Sequence, residues 1–203
     1  MQTLISVPLF STPVCVSNEK YKINTTELNF IKNLKRRNSG ENNTVTENQY
    51  ILNLPELNNL KKWIEKYVQT YFFEFLKVKD IDEIYITQSW SNITKQGKNH
   101  PVHNHPNSIV SGVMHFDDDD SNLNFYSIHK HFPLDFNYKE YTPVNSQRWS
   151  CPTMKYKLFL FPSSINHDVD IQKIKRDRIS LSFNTWIKGT VGSKGASTLL
   201  QIK

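Results

Sequence analysis

The sequence contains few of the residues on which several protein classes depend. Its two cysteines, Cys15 and Cys151, are far apart and outside any CxxC pattern, so neither a zinc ribbon nor a disulfide framework is indicated. No GxSxG and no GxxxxGK[ST] occurs, which argues against a serine hydrolase and a P-loop protein. Reduced thiols are typical of cytoplasmic proteins, and we expect the cytoplasm as the location.

Long hydrophobic runs are also missing. No stretch approaches the roughly 20 apolar residues of a membrane span, and no lysine or arginine precedes the short apolar stretch at the N-terminus, unlike a secretory signal. We therefore expect no membrane partner. The net charge is +6, but no RNA-recognition motif or basic helix accompanies it, so nucleic acid is not indicated beyond the basic charge.

The 203 residues, 37% of them hydrophobic, are enough for one globular domain with its own core. We expect residues 1–80 to supply an N-terminal strand (4–16) and supporting helices, 81–188 a β-rich core and 189–203 a tail. Apolar residues at helical spacing from Leu57 to Leu76, with Pro55 at the first turn, predict the longest helix. A short helix capped by Thr25 or Thr26 and a loop over 39–47 complete this half.

After Lys79 the sequence changes to short segments rich in β-branched and aromatic residues. This pattern is typical of an antiparallel sandwich or barrel, and the fold class is predicted as mainly β with flanking helices. The acidic run Asp117–Asp120 lacks the ligand spacing of a calcium loop and is predicted to form a hairpin turn. The predicted strands are 84–92, 108–116, 123–128, 155–161, 167–171 and 178–187.

The histidines are concentrated in one part of the chain. In the extended segment HPVHNHP, His103 and His105 project to the same side and can converge on one metal ion. His167, after the strand 155–161 and a turn, is the expected third ligand. Three imidazoles suit iron, zinc, copper and nickel alike, so the pattern predicts a metal without identifying it.

Arg178 lies eleven residues after His167 (178 − 167) and begins the segment RISLSFN. By alternation it shares one strand face with Ser180 and the polar residues that follow. A guanidinium beside a hydroxyl is suited to gripping a carboxylate. We therefore expect Arg178 and Ser180 to bind an inward-pointing carboxylate near the metal.

Four segments together resemble the double-stranded β-helix (jelly-roll, cupin-like) core of the iron(II)/2-oxoglutarate-dependent oxygenase superfamily. They are SWSN at 89–92, HPVHNHPNSIVSGV at 100–113, LFPSSINH at 160–167 and RISLSFN at 178–184. The resemblance is greatest to a group of oxygenases common in marine phages and bacteria, for which the location would be the host cytoplasm.

This resemblance implies a dioxygenase with Fe(II) and 2-oxoglutarate as cofactors. Its partners would be 2-oxoglutarate, molecular oxygen and an unidentified substrate that is hydroxylated with release of succinate and CO2. His103 and His167 are the implied ligands, Arg178 with Ser180 the implied anchor, and Asn92 and Trp90 candidate pocket residues. His105 departs from the superfamily, which usually has an acid here; if it does not ligate, water or Asp168 would fill the position.

Two alternatives remain open at this stage. A metal-binding cupin acting without 2-oxoglutarate would share the jelly roll and the spacing of His103 and His105, although the glutamate ligand expected after them is absent. His129 and His131 repeat the HxH spacing and raise the question of a second metal site. We expect His115 in the core or pocket wall and His100 in the loop leading to the site. The sequence does not predict the oligomeric state.

Overall fold

Two antiparallel sheets and a small helical layer make up the structure, a computed structural model that describes residues 9–40, 43–118, 120–128, 133–134 and 136–203. The larger sheet has the order β1-β9-β6-β11-β4-β3-β2, with β12 added to β11, and the smaller has the order β5-β10-β7-β8. The strands are β1 Cys15–Val16, β2 Arg36–Asn38, β3 Thr44–Thr46, β4 Ile81–Thr94, β5 His100–His103, β6 Val110–His115, β7 Asn122–Tyr126, β8 Arg148–Pro152, β9 Leu158–Pro162, β10 His167–Val169, β11 Arg178–Val191 and β12 Leu200–Ile202.

The helices cover the outer face of the larger sheet. Helix α1 spans Thr25–Asn33, and α2 spans Asn58–Gln69 between 3₁₀ turns (Ile51–Asn53, Pro55–Leu57) and a π-helical turn (Thr70–Phe75). The buried stripe of α2, Leu60, Ile64 and Val68, packs with the apolar face of β11 in the main core. No helix in the described part of the chain is long and apolar enough to cross a bilayer.

The central strand β11 has one face in the main apolar core and the other face towards the smaller sheet. Its odd-numbered residues Ile179, Leu181 and Phe183 enter the main core on the helical side. Its even-numbered residues face the smaller sheet, where a second apolar cluster is formed by Val113, Leu123, Phe125, Phe159, Phe161, Ile165 and Val169. The predicted alternation is therefore confirmed, as is the double-stranded β-helix class.

Three details of the N-terminal half differ from the sequence-based expectation. Helix α1 is capped by Asn24 and not by Thr25 or Thr26: Asn24 Oδ1 accepts from the Glu27 N–H at 2.8 Å, and the Glu27 carboxylate accepts from the Asn24 N–H at 3.2 Å. This reciprocal pair is a capping box. The expected loop over 39–47 contains the strand β3, which pairs with β2 as a hairpin. Of the expected strand 4–16, only Cys15–Val16 is extended in the described residues.

The expectation for the acidic run was wrong. The strands on either side of Asp117–Asp120, β6 and β7, belong to different sheets, so the connection is a crossover and not a hairpin. Asp117 accepts the Ile179 N–H at 2.8 Å, which ties the crossover to the beginning of β11; residue 119 lies outside the described residues. Strands β8 and β12 were not anticipated, and β12 converts the predicted tail into an added strand of the larger sheet.

Candidate active site

Two strands of the smaller sheet bring the first and last predicted ligands together. His103, at the end of β5, is the direct cross-strand neighbour of His167, which begins β10. The two imidazole centroids are 4.3 Å apart. Residues that are distant in sequence thus become adjacent through one antiparallel register.

His105 reaches the same place from the segment after β5. Its N–H donates to the Ser163 carbonyl at 2.9 Å, which fastens this segment to the turn between β9 and β10. Its ring lies 5.2 Å from that of His103 and 5.0 Å from that of His167, and Trp90 stacks on it at 5.6 Å. One ring nitrogen of each of the three histidines lies within 4.8 Å of those of the other two.

The Nδ1 atoms of all three histidines are already engaged with oxygen acceptors. His103 Nδ1 contacts the Pro101 carbonyl at 2.7 Å, His105 Nδ1 the Asn184 side-chain oxygen at 2.7 Å, and His167 Nδ1 the Ile165 carbonyl at 3.0 Å. An oxygen acceptor places the proton of a neutral imidazole on Nδ1 and leaves the lone pair on Nε2. This is the arrangement that typically orients histidine ligands of metal ions.

The surroundings keep two of these imidazoles neutral. Burial lowers the pKa of His167 to about 3, and the neighbouring His103 adds to the effect. Burial also lowers the pKa of His105, although the hydrogen bond to Asn184 partly opposes it. Phe161 packs edge-on against His167 at 4.7 Å and contributes to its desolvation. Neutral imidazole is the form that binds metal ions.

No carboxylate joins the three histidines in the part of the chain that the structure describes. Asp168 follows His167 in β10 and, by alternation, lies on the opposite face of the smaller sheet. There it accepts hydrogen bonds from Tyr126 and from Asn124 Nδ2. The alternative in which Asp168 replaces His105 as a ligand is therefore not supported by the geometry.

A cavity of about 580 Å³ opens over the three imidazoles. Its wall contains the predicted residues Ser180 and Asn92, which are cross-strand neighbours on β11 and β4. Trp90 and His100 also line it, and Leu123, Val169 and Phe161 provide apolar surface. The volume is in the usual range for small-molecule sites.

Arg178 occupies a different position from the one expected for a residue in direct contact with the cavity. It is 2% exposed and is not among the residues that line the cavity. Its Nη1 donates to Ser121 Oγ at 2.5 Å and to the Asp170 carbonyl at 3.0 Å. Its charge nevertheless affects the site. The pKa of His100, which lines the cavity, is lowered to about 4, mainly by burial and to a smaller extent by the positive charge of Arg178.

Two groups of residues at the candidate site were not found from the sequence. One is a chain of polar side chains behind His105: Ser108, Ser163 and Ser111 are linked at 2.7 and 2.8 Å, and Ser111 donates to Asn184 at 2.9 Å. The other is the β2–β3 hairpin, whose residues 37–40, 43 and 45 line the cavity. The adjacent serines of LFPSS and the alternating polar residues of RISLSFN, which end at Asn184, were the available signal for the first group. Nothing local in RRNSG pointed to the second.

The remaining histidines differ in their positions. His100 is the first residue of β5 and not part of a loop, and it contacts Thr94 Oγ1 at 2.9 Å. His115 is 1% exposed and lines the cavity beside Ser180, as expected for a pocket wall. The second metal site considered at His129 and His131 lies outside the described residues.

Comparison with known proteins agrees with this geometry. Residues 88–184 match a family model described as "Putative 2OG-Fe(II) oxygenase". No curated protein matches the sequence. The matched region extends from β4 to β11 and includes all three histidines.

Solved structures share the fold at low sequence identity. HygX from Streptomyces hygroscopicus, crystallised with nickel, 2-oxoglutarate and hygromycin B, has a TM-score of 0.58 and 10% identity over 86% of this chain and 82% of its own. A 2OG-Fe(II) oxygenase family oxidoreductase from Burkholderia pseudomallei has a TM-score of 0.54 and 13% identity over 77% and 74%. A Pseudomonas putida prolyl-4-hydroxylase has a TM-score of 0.53 and 11% identity over 79% and 80%.

These structures support the jelly-roll fold, and the family match supports the chemistry. Together with the grouping of His103, His105 and His167, they account for Fe(II) and 2-oxoglutarate as cofactors. The region 88–184 is therefore similar to the 2OG-Fe(II) oxygenases.

Proposed function

We propose that His103, His105 and His167 are the iron ligands and that the enzyme hydroxylates its substrate. The observation that carries the assignment is the shared geometry of the three rings. The Nδ1 atom of each ring contacts an oxygen acceptor, which leaves Nε2 as the candidate ligand atom, and one ring nitrogen of each lies within 4.8 Å of those of the other two. Three nitrogen ligands leave coordination positions for a chelating co-substrate and for oxygen.

The co-substrate is expected to extend from the metal along the inner face of β11. Ser180 and Asn92 offer a hydroxyl and an amide on the cavity wall, both nearly buried. Arg178 lies two residues before Ser180 on the same face and supplies the positive charge that the distal carboxylate of 2-oxoglutarate requires. Direct contact requires the Arg178 side chain or the adjoining wall to rearrange when 2-oxoglutarate binds.

Iron and 2-oxoglutarate, when bound, would activate molecular oxygen, with one oxygen atom passing to succinate as CO2 is released and the other to a C–H bond of the substrate. The contribution of the chain is positioning and exclusion of water. Trp90 stacks on His105, and Phe161 packs against His167 on the inner side of the smaller sheet. These rings restrict solvent on two sides of the metal site. The free cysteines Cys15 and Cys151 suit a reducing compartment, in agreement with cytoplasmic action.

The direct test is anaerobic titration of the purified protein with Fe(II) and then 2-oxoglutarate, followed by the visible charge-transfer band of the chelate. We expect the band in the wild type and no metal binding in His167→Ala. If iron binds and no band forms, the protein acts without 2-oxoglutarate, as a cupin would.

Arg178→Gln is expected to weaken 2-oxoglutarate binding about 10- to 100-fold, the range for loss of one charge-assisted hydrogen bond. Arg176→Gln is the matched control, since Arg176 is an exposed cation two residues earlier. Because Arg178 is buried, Ser180→Ala provides a second, milder variant whose 2-oxoglutarate affinity should also fall. Wild-type affinity in both Arg178→Gln and Ser180→Ala would show that the anchor lies elsewhere.

A further inference from the structure

We propose that the substrate carries an anionic group, a carboxylate or a phosphate, and that Arg37 binds it at the mouth of the cavity. This inference rests on the proposed function, because it treats the three-histidine centre as the reaction site. It concerns a different anion from the 2-oxoglutarate carboxylate assigned to Arg178 and Ser180.

Arg37 is the only lysine or arginine among the described residues that line the cavity. It is exposed, and within the described part of the chain it makes no hydrogen bond and no ion pair. No aspartate or glutamate is found among the described lining residues. A guanidinium that is exposed, lines a cavity and has no acidic partner among the described residues is a suitable site for an anion, which it can bind through two parallel N–H groups.

The strand that carries Arg37 is held firmly against the core. Its neighbour Arg36 points the other way and donates to the Ser91 carbonyl at 2.9 Å and to the Ile31 carbonyl at 2.8 Å. Asn43, across the hairpin, donates to the Asn99 carbonyl at 2.6 Å, close to β5. Arg37 therefore projects from a fixed backbone, which favours specific binding over a transient surface contact.

The charge balance of the metal site leads to the same conclusion. Fe(II) carries two positive charges and Arg178 one, whereas the two carboxylates of 2-oxoglutarate carry two negative charges. In a site with two histidines and a carboxylate, the ligand acid would cancel the remaining positive charge. His105 brings no negative charge to that position, so the site stays positive, Arg37 adds to it, and an anionic group of the substrate would balance these charges.

The surroundings of Arg37 define the rest of the binding surface. Asn38 and Ser39 line the same side of the cavity and carry an amide and a hydroxyl. Trp90 lines the wall above His105, where it offers an aromatic surface beside the metal site. A molecule with an anionic end at the hairpin and an apolar or aromatic portion over the imidazoles would match both features.

The test uses matched pairs of probes that differ in charge: benzoate against benzamide, and phenyl phosphate against phenol. Ligand-detected NMR is measured on full-length protein loaded with Zn(II) in place of Fe(II) and saturated with 2-oxoglutarate. We expect each anionic probe to bind the wild type about 10-fold or more tightly than its neutral partner, which corresponds to the strength of one charge-assisted hydrogen bond. Arg37→Gln should abolish this preference.

Lys35→Gln is the matched control, because Lys35 is a nearby exposed cation that pairs with Glu47 at 2.9 Å and does not line the cavity. It should retain the wild-type preference for anionic probes. Equal binding of charged and neutral probes by the wild type, no binding of the anionic probes at millimolar concentration, or a preference that persists in Arg37→Gln would each overturn the proposal. The last result would indicate direct binding of the anion to the metal.

The 2-oxoglutarate chelate band is measured on the same variant, to separate this inference from the proposed function. Arg37→Gln should bind 2-oxoglutarate as the wild type does. A weakened 2-oxoglutarate affinity in Arg37→Gln would show that Arg37 holds the co-substrate and would refute the proposed substrate anion. A wild type that forms no chelate band would contradict the proposed function itself.

Discussion

Asn184 is predicted to control metal affinity without touching the metal. Its side-chain oxygen accepts from His105 Nδ1 at 2.7 Å and from Ser111 Oγ at 2.9 Å, while its Nδ2 donates to Gln88 at 3.3 Å. These partners hold the amide with its oxygen towards His105. Asn184→Leu keeps a side chain of similar size and removes the acceptor.

The expected loss follows from the state of His105. The ring is 9% exposed, and an unsatisfied buried N–H costs about 1–3 kcal/mol. His105 would escape this cost by adopting the other tautomer, in which Nε2 carries the proton and is no longer available to the metal. We therefore expect metal affinity to fall about 10- to 100-fold, the range found for the loss of such supporting groups. Asn184→Asp, which retains the acceptor and adds negative charge, should bind metal at least as tightly as the wild type.

Co(II) binding measured by the visible absorption of the bound ion, in competition with a chelator, is the appropriate assay. Ser182→Ala serves as the control: Ser182 lines the cavity on the same strand face as Asn184 but, among the described residues, forms no hydrogen bond with His105. Thermal unfolding of the metal-free variants establishes that each one folds. Wild-type Co(II) affinity in Asn184→Leu would refute the reasoning. If Asn184→Asp weakens Co(II) binding as much as Asn184→Leu does, the shape of the Asn184 side chain, and not its hydrogen bond with His105, determines the metal affinity.

Two further predictions concern stability. A Cβ on Gly112 would lie 2.4 Å from the ring of the buried Phe183, so Gly112→Ala should lower the free energy of unfolding by about 1–3 kcal/mol. Gly195→Ala is the control, because its Cβ would meet no atom closer than 3.8 Å, and it should leave urea unfolding unchanged. Equal urea midpoints for the two variants would disprove the clash. Burial alone would raise the pKa of Asp170, but hydrogen bonds such as that from Asn124 outweigh it and lower the pKa. The Asp170 carboxylate therefore stabilises the fold above its unfolded pKa of about 3.9 and loses this effect as the pH falls through the lower folded value. The stability difference between wild type and Asp170→Asn should accordingly shrink between pH 7 and pH 3, and a difference that stays constant would contradict this account.

The elements that were predictable from sequence are those whose pattern is set by burial on one side. The apolar stripe of α2 and the alternation of apolar and polar residues in β11 were both predicted correctly, because each element packs one face against the same core. The β2–β3 hairpin was missed because its strands have only three residues each and are mostly polar, and because its pairing with β4 depends on contacts distant in sequence. Loop composition does not distinguish an edge hairpin from an irregular turn.

The same distinction applies to the candidate site. His103, His105 and His167 were identified because ligand spacing is visible in a sequence. The role of Asn184 depends on a contact with a residue 79 positions away, and the position of Arg37 depends on a hairpin that was read as a loop. Residues that support a ligand or line a cavity are brought into place by the tertiary structure, and the local sequence around them does not predict these roles.

The proposed ligand role of His105, at a position where the superfamily usually has an acid, links the two proposals on Asn184 and Arg37. A carboxylate ligand would bring its own negative charge and would need no acceptor behind it. A histidine brings no negative charge, so in this proposal the positive charge of Arg37 is left for the substrate. A histidine also has a second ring nitrogen that must be held in one tautomer, and Asn184 Oδ1 contacts that nitrogen. A histidine at the third ligand position is thus proposed to require a polar support on the larger sheet and to permit an anionic substrate at the hairpin. His105→Asp is therefore expected to make the Asn184 acceptor dispensable and to reduce the preference of the cavity for anionic probes.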